Sequence, residues 1–183
     1  MKDTIFALST VPGLSAISVF RISGPNAFLI LRKITKAKVP ENRRASLRKI
    51  LWKGEIIDKC IVIAFNKNDS YSGEKTVELH CHGSIAIINK LASVLTQCGS
   101  ELNIRPAEEG EFTRQAFYNG KMDLIQVEGL SDLLRAETEA QRKISFDSLD
   151  GVISKKISVW KSKIVSILAF LEADIDFNDQ DLG

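Results

Sequence analysis

The stretch GEFTRQAFYNGKMDL, Gly110 to Leu124, decides how the chain is divided. Phe112, Ala116 and Phe117 fall on one face of a short amphipathic helix, with Arg114 and Gln115 to its side. Asn119-Gly120 stops that helix, because both residues tolerate the left-handed conformation of a helix C-terminus. Asp123 is placed to cap a second helix that begins at Leu124. Lys121 lies in the turn between them, its backbone fixed from both sides. Two readings stand for it: an ordinary solvated turn lysine, or an ammonium aimed at a ligand.

Beyond this turn, Leu124, Val127, Leu130, Leu133 and Leu134 recur at helical spacing, which predicts one helix to about Leu149, ended by Asp150-Gly151. Val152, Ile157, Trp160, Ile164, Ile167, Leu168 and Leu171 mark one face of a second long helix. The pair forms an α-hairpin whose apolar stripes need a third or fourth helix, from this chain or another copy. The acidic ending from Asp174 reads as a linker or cut point.

Before the turn, short strands are predicted at Thr4–Leu8 and Ala16–Ile22, around a Pro-Gly loop at Val11–Ser15. Pro25 suits the first turn of a helix to about Ile34. Lys33 to Arg48 reads as a basic exposed connection, followed by strands at Lys49–Lys53 and Ile56–Phe65. A strand at Thr76–His82, a helix at Ile85–Gln97 capped by Ser84, and a short strand at Leu102–Arg105 complete the series.

A chain of 183 residues suits one domain, or one domain with a helical appendage, and 44% hydrophobic residues can bury a core. A formal charge of +2 is not the field of a dedicated nucleic-acid binder, so any RNA contact is expected to be local or shared with another protein. No apolar run is long enough to span a membrane, and MKDTIFALST lacks the layout of a signal peptide. Cys60, Cys81 and Cys98 are odd in number and widely spaced, as expected of reduced thiols in a cytoplasmic protein.

Three charged residues carry possible chemistry. Arg21 alternates with Phe20 and Ile22 and so faces the opposite side of its strand, as a solvated residue or as an anion clamp beside the turn Ser23-Gly24-Pro25. In the strand at Thr76–His82, Val77, Leu79 and Cys81 share one face; Glu78, His80 and His82 share the other. Glu78 either pairs with a neighbouring base or accepts two parallel hydrogen bonds from an amidine-like edge, such as that of a pterin or guanine. Lys121 is the third. His80 and His82 lack further ligands at zinc spacing, so no metal site is predicted. Lys36, Lys38, Arg43, Arg44, Arg48 and Lys49 either touch RNA phosphates or form a solvated connection. Asn66-Lys67-Asn68-Asp69 matches a guanine-reading motif, but the chain holds no GxxxxGK[ST] phosphate loop, so a polar turn is expected.

Three stretches resemble one family in order and spacing: Asp3-Thr4-Ile5 through FRISGP, YSGEKTVELHCHGS, and GEFTRQAFYNGKMDLIQVEGLSDLL. The family is that of the tRNA uridine-modifying GTPases, MnmE/TrmE. The resemblance implies an α+β fold. Residues 1–120 would be a mixed-sheet domain, similar to the folate domains of the glycine-cleavage T-protein group, that binds tetrahydrofolate and dimerises. Residues 121–183 would be the first, all-α part of a helical domain into which a GTPase domain is inserted. It further implies a 5-formyltetrahydrofolate-type cofactor held by Arg21, Glu78 and Lys121, a homodimer, and an FAD-containing partner. With that partner the whole protein would add an aminomethyl-type group at C5 of the wobble uridine of tRNA. GTP, Mg2+ and K+ belong to the GTPase domain. The chain stops about where that domain would begin, so GTP hydrolysis is not expected of these residues, and no catalytic residue is assigned. Two loops depart from the family pattern: Val11-Pro12-Gly13-Leu14-Ser15 stands where Pro-Pro-Gly-Arg-Gly is usual, and Cys81-His82-Gly83-Ser84 where Gly-His-Gly-Gly is usual. The alternatives are a free-standing aminomethyltransferase-like folate enzyme and a non-catalytic docking scaffold.

Overall fold

A computed structural model describes residues 3–180. The chain divides into two compact units, Met1–Lys121 and Met122–Gly183.

Unit 1 is built on six strands: β1 (Thr4–Leu8), β2 (Ser15–Ser23), β3 (Ser46–Trp52), β4 (Glu55–Phe65), β5 (Thr76–Gly83) and β6 (Ile104–Pro106). They form one mixed sheet in the order β3-β4-β5-β2-β1-β6, antiparallel throughout except for the parallel pair β1–β6. Alternation along the strands sends Phe20, Ile22, Val62, Val77 and Leu79 to one face, where all are buried. Two helices cover that face. Helix α1 (Ala27–Thr35) contributes Ile30, Leu31 and Ile34; α2 (Ile85–Gln97), capped by Ser84 Oγ, contributes Leu91, Val94 and Leu95. Each such side chain stabilises the fold by about 1.5–3 kcal/mol relative to exposure. Cys60, Cys81 and Cys98 are free thiols inside this core.

The opposite face is covered differently. Helix α3 (Gly99–Leu102) is a single turn leading into β6, and α4 (Glu111–Tyr118) then lies against the sheet. Polar side chains hold α4. Gln115 Oε1 accepts from Ser23 Oγ at 2.8 Å, and Ser23 Oγ shares a 2.6 Å hydrogen bond with Ser72 Oγ. Asn119 Nδ2 donates to the Ser72 carbonyl at 2.8 Å. Gly73 makes that approach possible: its φ is +72°, and a Cβ there would lie 2.6 Å from Asn119 Cβ. At the start of α4, Arg105 donates to both carboxylate oxygens of Glu111, at 2.9 and 2.6 Å, and to Asp3 at 3.0 Å. These bonds hold the Glu111 carboxyl below its usual pKa despite burial, and raise Arg105 further above an already high one.

Several expectations shift. The basic connection is shorter than expected, because α1 runs to Thr35 and β3 starts at Ser46. Helix α1 starts at Ala27 with Asn26 as its N-cap, so Pro25 precedes the first turn instead of lying in it. The last strand of the unit starts at Ile104, because α3 takes up Leu102. Asn66 to Asp69 is a turn, with Lys67–Asp69 in a single 3-10 turn tied to Asn42 by two hydrogen bonds of 2.8 and 2.9 Å. Phe117 stays 41% exposed while Glu111 is buried, so the inner face of α4 is more polar than its apolar spacing suggests.

Unit 2 is all α. The single helix expected from Leu124 to about Leu149 is two, α5 (Leu124–Arg135) and α6 (Glu139–Leu149), followed by α7 (Val152–Gln180). The break is a second capping box: Thr138 Oγ1 accepts from the Gln141 amide, and the Gln141 side chain accepts from the Thr138 amide. Asp123 and Gln126 do the same at α5. Gly129 lets α5 approach the backbone of Ser148 and Leu149, and Gln126 Nε2 donates to the Leu149 carbonyl at 3.0 Å. Most of the acidic ending is helical, since α7 continues through Gln180; Asp181–Gly183 lie outside the described residues. Trp160, Ile164 and Phe170 are exposed on α7. Among the described residues no helix is long and apolar enough to cross a membrane.

The Glu111 anchor makes a signed prediction. A carboxyl that ionises more readily when folded contributes stability above its ordinary pKa of about 4.5 and loses it as pH falls through the lower folded value. Glu111→Gln is expected to cost about 2 kcal/mol near pH 7 and less at about pH 3; urea denaturation at both pH values measures the difference.

Candidate functional site

Register brings two of the three expected residues together. Arg21 in β2 stands directly opposite Glu78 in β5, on the face away from α1 and α2. Arg21 Nε and Nη2 both donate to Glu78 Oε1, at 3.0 and 2.9 Å. The two side chains are only 24% and 17% exposed, so solvent screens the pair less than a surface ion pair. The guanidinium also lies over two rings, Tyr71 at 5.2 Å and Phe112 at 5.5 Å. Tyr71 is held in turn by a 2.8 Å hydrogen bond between its hydroxyl and Thr113 of α4.

Glu78 Oε2 is less committed. His80 Nε2 lies 3.5 Å from it, and that nitrogen is buried without a hydrogen-bond partner among the described residues. This part of the sheet face thus groups one carboxylate oxygen, one imidazole nitrogen and two aromatic rings around the guanidinium. Arg21 is not a free anion clamp: a ligand that used both Glu78 oxygens would have to share or displace the guanidinium.

Lys121 is reached by a different route. The Lys121 amide donates to the Ala116 carbonyl at 2.8 Å and the Gly120 amide to the Phe117 carbonyl at 3.0 Å. With Gly120 at φ +67°, this closes α4 as a Schellman motif and fixes the backbone of Lys121. Asn119, at φ −88°, does not share the left-handed conformation. The exposed Lys121 ammonium donates to the Asn68 carbonyl, in the turn after β4. Among the described residues no hydrogen bond or ion pair joins it to Arg21 or Glu78.

His82 belongs elsewhere. Its Nδ1 is 2.7 Å from Asp58 Oδ1, and its amide donates to Asp58 Oδ2 at 2.9 Å. Burial opposes ionisation of Asp58, but these bonds and the Lys59 amide outweigh it and hold the carboxyl below its usual range. The two histidines therefore sit against different carboxylates, and no metal-binding group of three or more acid, histidine or cysteine side chains occurs among the described residues.

The aromatic walls are not evident from sequence, where Tyr71 is only part of a turn and Phe112 part of an apolar helix face. A cavity of about 310 Å³ between Asp3, Arg105, Glu111, Gln115 and Asn119 contains none of the three expected residues. The charges of Asp3, Arg105 and Glu111 on its wall are already paired with one another.

The Arg21–Glu78 bond has a measurable consequence. A double-mutant cycle of Arg21→Ala and Glu78→Ala by chemical denaturation is expected to give a coupling of about 1–2 kcal/mol, above that of exposed pairs. A coupling near zero would mean that the pair does not form in solution.

Comparison with known proteins adds an independent line. The family model described as the GTP-binding protein TrmE N-terminus matches residues 4–121, and that described as the MnmE helical domain matches residues 124–183. The tRNA modification GTPase MnmE of Caulobacter vibrioides is 46% identical over 182 residues, covering 100% of this chain and 40% of that protein. The protein of the same description from Cereibacter sphaeroides is 41% identical, covering 98% and 41%. A mitochondrial 5-taurinomethyluridine-[tRNA] synthase subunit of Mus musculus is 46% identical, covering 98% and 37%. The chain thus spans about 40% of the length of the curated relatives it matches. Matched along nearly its whole length, with the same order of an α+β unit and an α-helical unit, the chain belongs to the MnmE/TrmE family of tRNA modification GTPases.

Proposed function

We propose that unit 1 binds a reduced folate of the 5-formyltetrahydrofolate type, dimerises, and serves as the one-carbon module of a tRNA-modifying GTPase. The observation that carries this reading is the Arg21–Glu78 pair, walled by Tyr71 and Phe112, with Glu78 Oε2 left to a 3.5 Å contact from His80. A carboxylate can accept the parallel N–H groups of a pterin's amino-pyrimidine edge, and flat rings suit its faces. His80 Nε2, buried and without a hydrogen-bond partner among the described residues, is a polar atom that such a ligand would satisfy. These features fit the cofactor that the family resemblance implies.

The division of labour follows from charge and reach. Glu78 holds the amino-pyrimidine edge. Arg21 orients Glu78 and meets oxygens of the ligand. Lys121, on its fixed turn, meets a more distant oxygen, such as the formyl group or the glutamate tail. When bound, the folate supplies the one-carbon unit; these residues position it and exclude water.

Dimerisation draws support from the same face. Leu47, Ile61, His80 and Val19 form a row across four strands, and Leu47 and Ile61 are 55% and 44% exposed. Val11, Leu14 and Ile17 extend the apolar surface at one end of β2. A second copy would cover it. In the whole protein we propose an FAD-containing partner, tRNA as substrate and a cytoplasmic setting. GTP, Mg2+ and K+ would belong to parts outside these residues.

Calorimetric titration with 5-formyltetrahydrofolate tests the reading. The chain is expected to bind, and Glu78→Gln and Lys121→Ala to weaken affinity by tenfold or more, while Lys156→Gln on α7 binds as the parent does. Equal affinities in all four proteins would refute the assignment. Turnover of folate by the chain alone, without any partner, would instead favour a free-standing folate enzyme.

A further inference from the structure

The chain's charge is unevenly placed. Between Arg32 and Lys59 stand ten of its 25 lysines and arginines but only three of its 23 acids, Glu41, Glu55 and Asp58. This segment is therefore strongly basic in a chain of formal charge +2. It folds into one region: the end of α1, the connection to β3, β3 itself and the turn into β4. Strand β3 is the last strand on its side of the sheet, so the basic residues line an open edge.

Little of this charge is neutralised internally. Arg44 pairs with Glu41 at 2.8 Å, Lys33 with Glu101, and Glu55 is taken by Lys90 at 3.2 Å. Asp58 is buried and engaged by His82. Among the described residues, Lys36, Lys38, Arg43, Lys49 and Lys53 are exposed and form no ion pair. At the Trp52 end of β3, Lys36 and Lys53 line a cleft of about 400 Å³ with Lys33, Trp52 and Glu101; Glu101 pairs with Lys33, whose Nζ lies 5.7 Å from the centre of the Trp52 ring. Lysines around an aromatic ring match the two needs of a nucleotide strand: cations for phosphates and a flat surface for a base.

We propose that this β3 edge is a docking surface for the phosphate backbone of a folded RNA, with Trp52 receiving an unpaired base beside it. The surface is separate from the Arg21–Glu78 site and does not depend on folate binding there. Its choice of RNA over other polyanions rests on the indole between lysines. An acidic protein or a lipid headgroup would need the charge but not the ring.

The test uses the 183-residue chain and an unmodified tRNA transcript. Binding is measured by fluorescence anisotropy from about 50 to 200 mM salt. Removing one lysine–phosphate interaction lowers the salt slope of log K by about 0.9. The triple variant Lys38→Gln, Arg43→Gln, Lys49→Gln is expected to lower that slope by about two to three and to weaken binding at least tenfold. The same number of changes on α7, at Lys155, Lys156 and Lys163, should leave both nearly unchanged. In Trp160→Phe, Trp52 is the sole indole, and its emission should be quenched by tRNA but not by tripolyphosphate.

Five results would overturn the proposal. An unchanged slope in the triple variant, or an equal weakening in the α7 variant, would reduce the effect to diffuse charge. Aggregation of the triple variant with undiminished RNA binding would make the lysines guards of an open strand edge. Trp52 emission indifferent to RNA, or tighter binding to phosphatidylglycerol vesicles with no slope on tRNA, would exclude RNA as the occupant. Folate titration of the triple variant, expected to match the parent, keeps this outcome distinct from failure of the folate reading.

Discussion

Unit 1 depends on a small buried network of hydroxyls and amides. Ser23, Ser72 and Thr76 are 0–2% exposed, and Gln115 of α4 and Asn119, the residue that caps it, bond to the first two. Polar groups removed from water must find partners or cost several kcal/mol. Here the partners are on three different segments, so satisfying them fixes the helix, the loop before β5 and the end of β2 together. One face of the sheet is closed by apolar burial under α1 and α2. The other is closed at one end only, by α4, and this leaves room for charge on the remainder.

That difference explains why Arg21 and Glu78 can exist where they do. On the core face neither would be tolerated; on a fully open face their pairing would be screened. Against α4 they sit part-buried, with Phe112 and Tyr71 brought over the guanidinium by the same helix and loop that the network holds. Lys121 closes that helix. The three candidate residues thus share one cause, the seating of α4, although among the described residues no hydrogen bond joins Lys121 to the other two.

Much of this is legible from residue pattern. Alternation alone puts Arg21 and Glu78 on the face away from the core, and the extents of β1 and α2 match their periodicity and caps. The family resemblance points to these positions independently. Register is not legible: nothing local says that Arg21 stands opposite Glu78, and without it the pair is two separate charges. The aromatic walls are hidden for the same reason, since Tyr71 reaches α4 only through tertiary contact. The break between α5 and α6 is missed because no Gly or Pro marks it; the apolar stripe in fact thins there, with only Ala136 and Ala140 between Leu134 and Ile144, and the Thr138–Gln141 capping box is the local signal present in the sequence. Mean charge conceals the basic β3 edge, because acids elsewhere balance it.

The central claim is that the folate lands on the Arg21–Glu78 face. The most direct measurement is a series of amide 1H–15N correlation spectra recorded while 5-formyltetrahydrofolate is added to the labelled chain. The account predicts that the largest shifts fall in β2 around Arg21, in β5 around Glu78 and His80, and at Gly120-Lys121. Shifts centred instead on Asp3, Arg105 and Glu111, or scattered without a centre at saturating ligand, would contradict it.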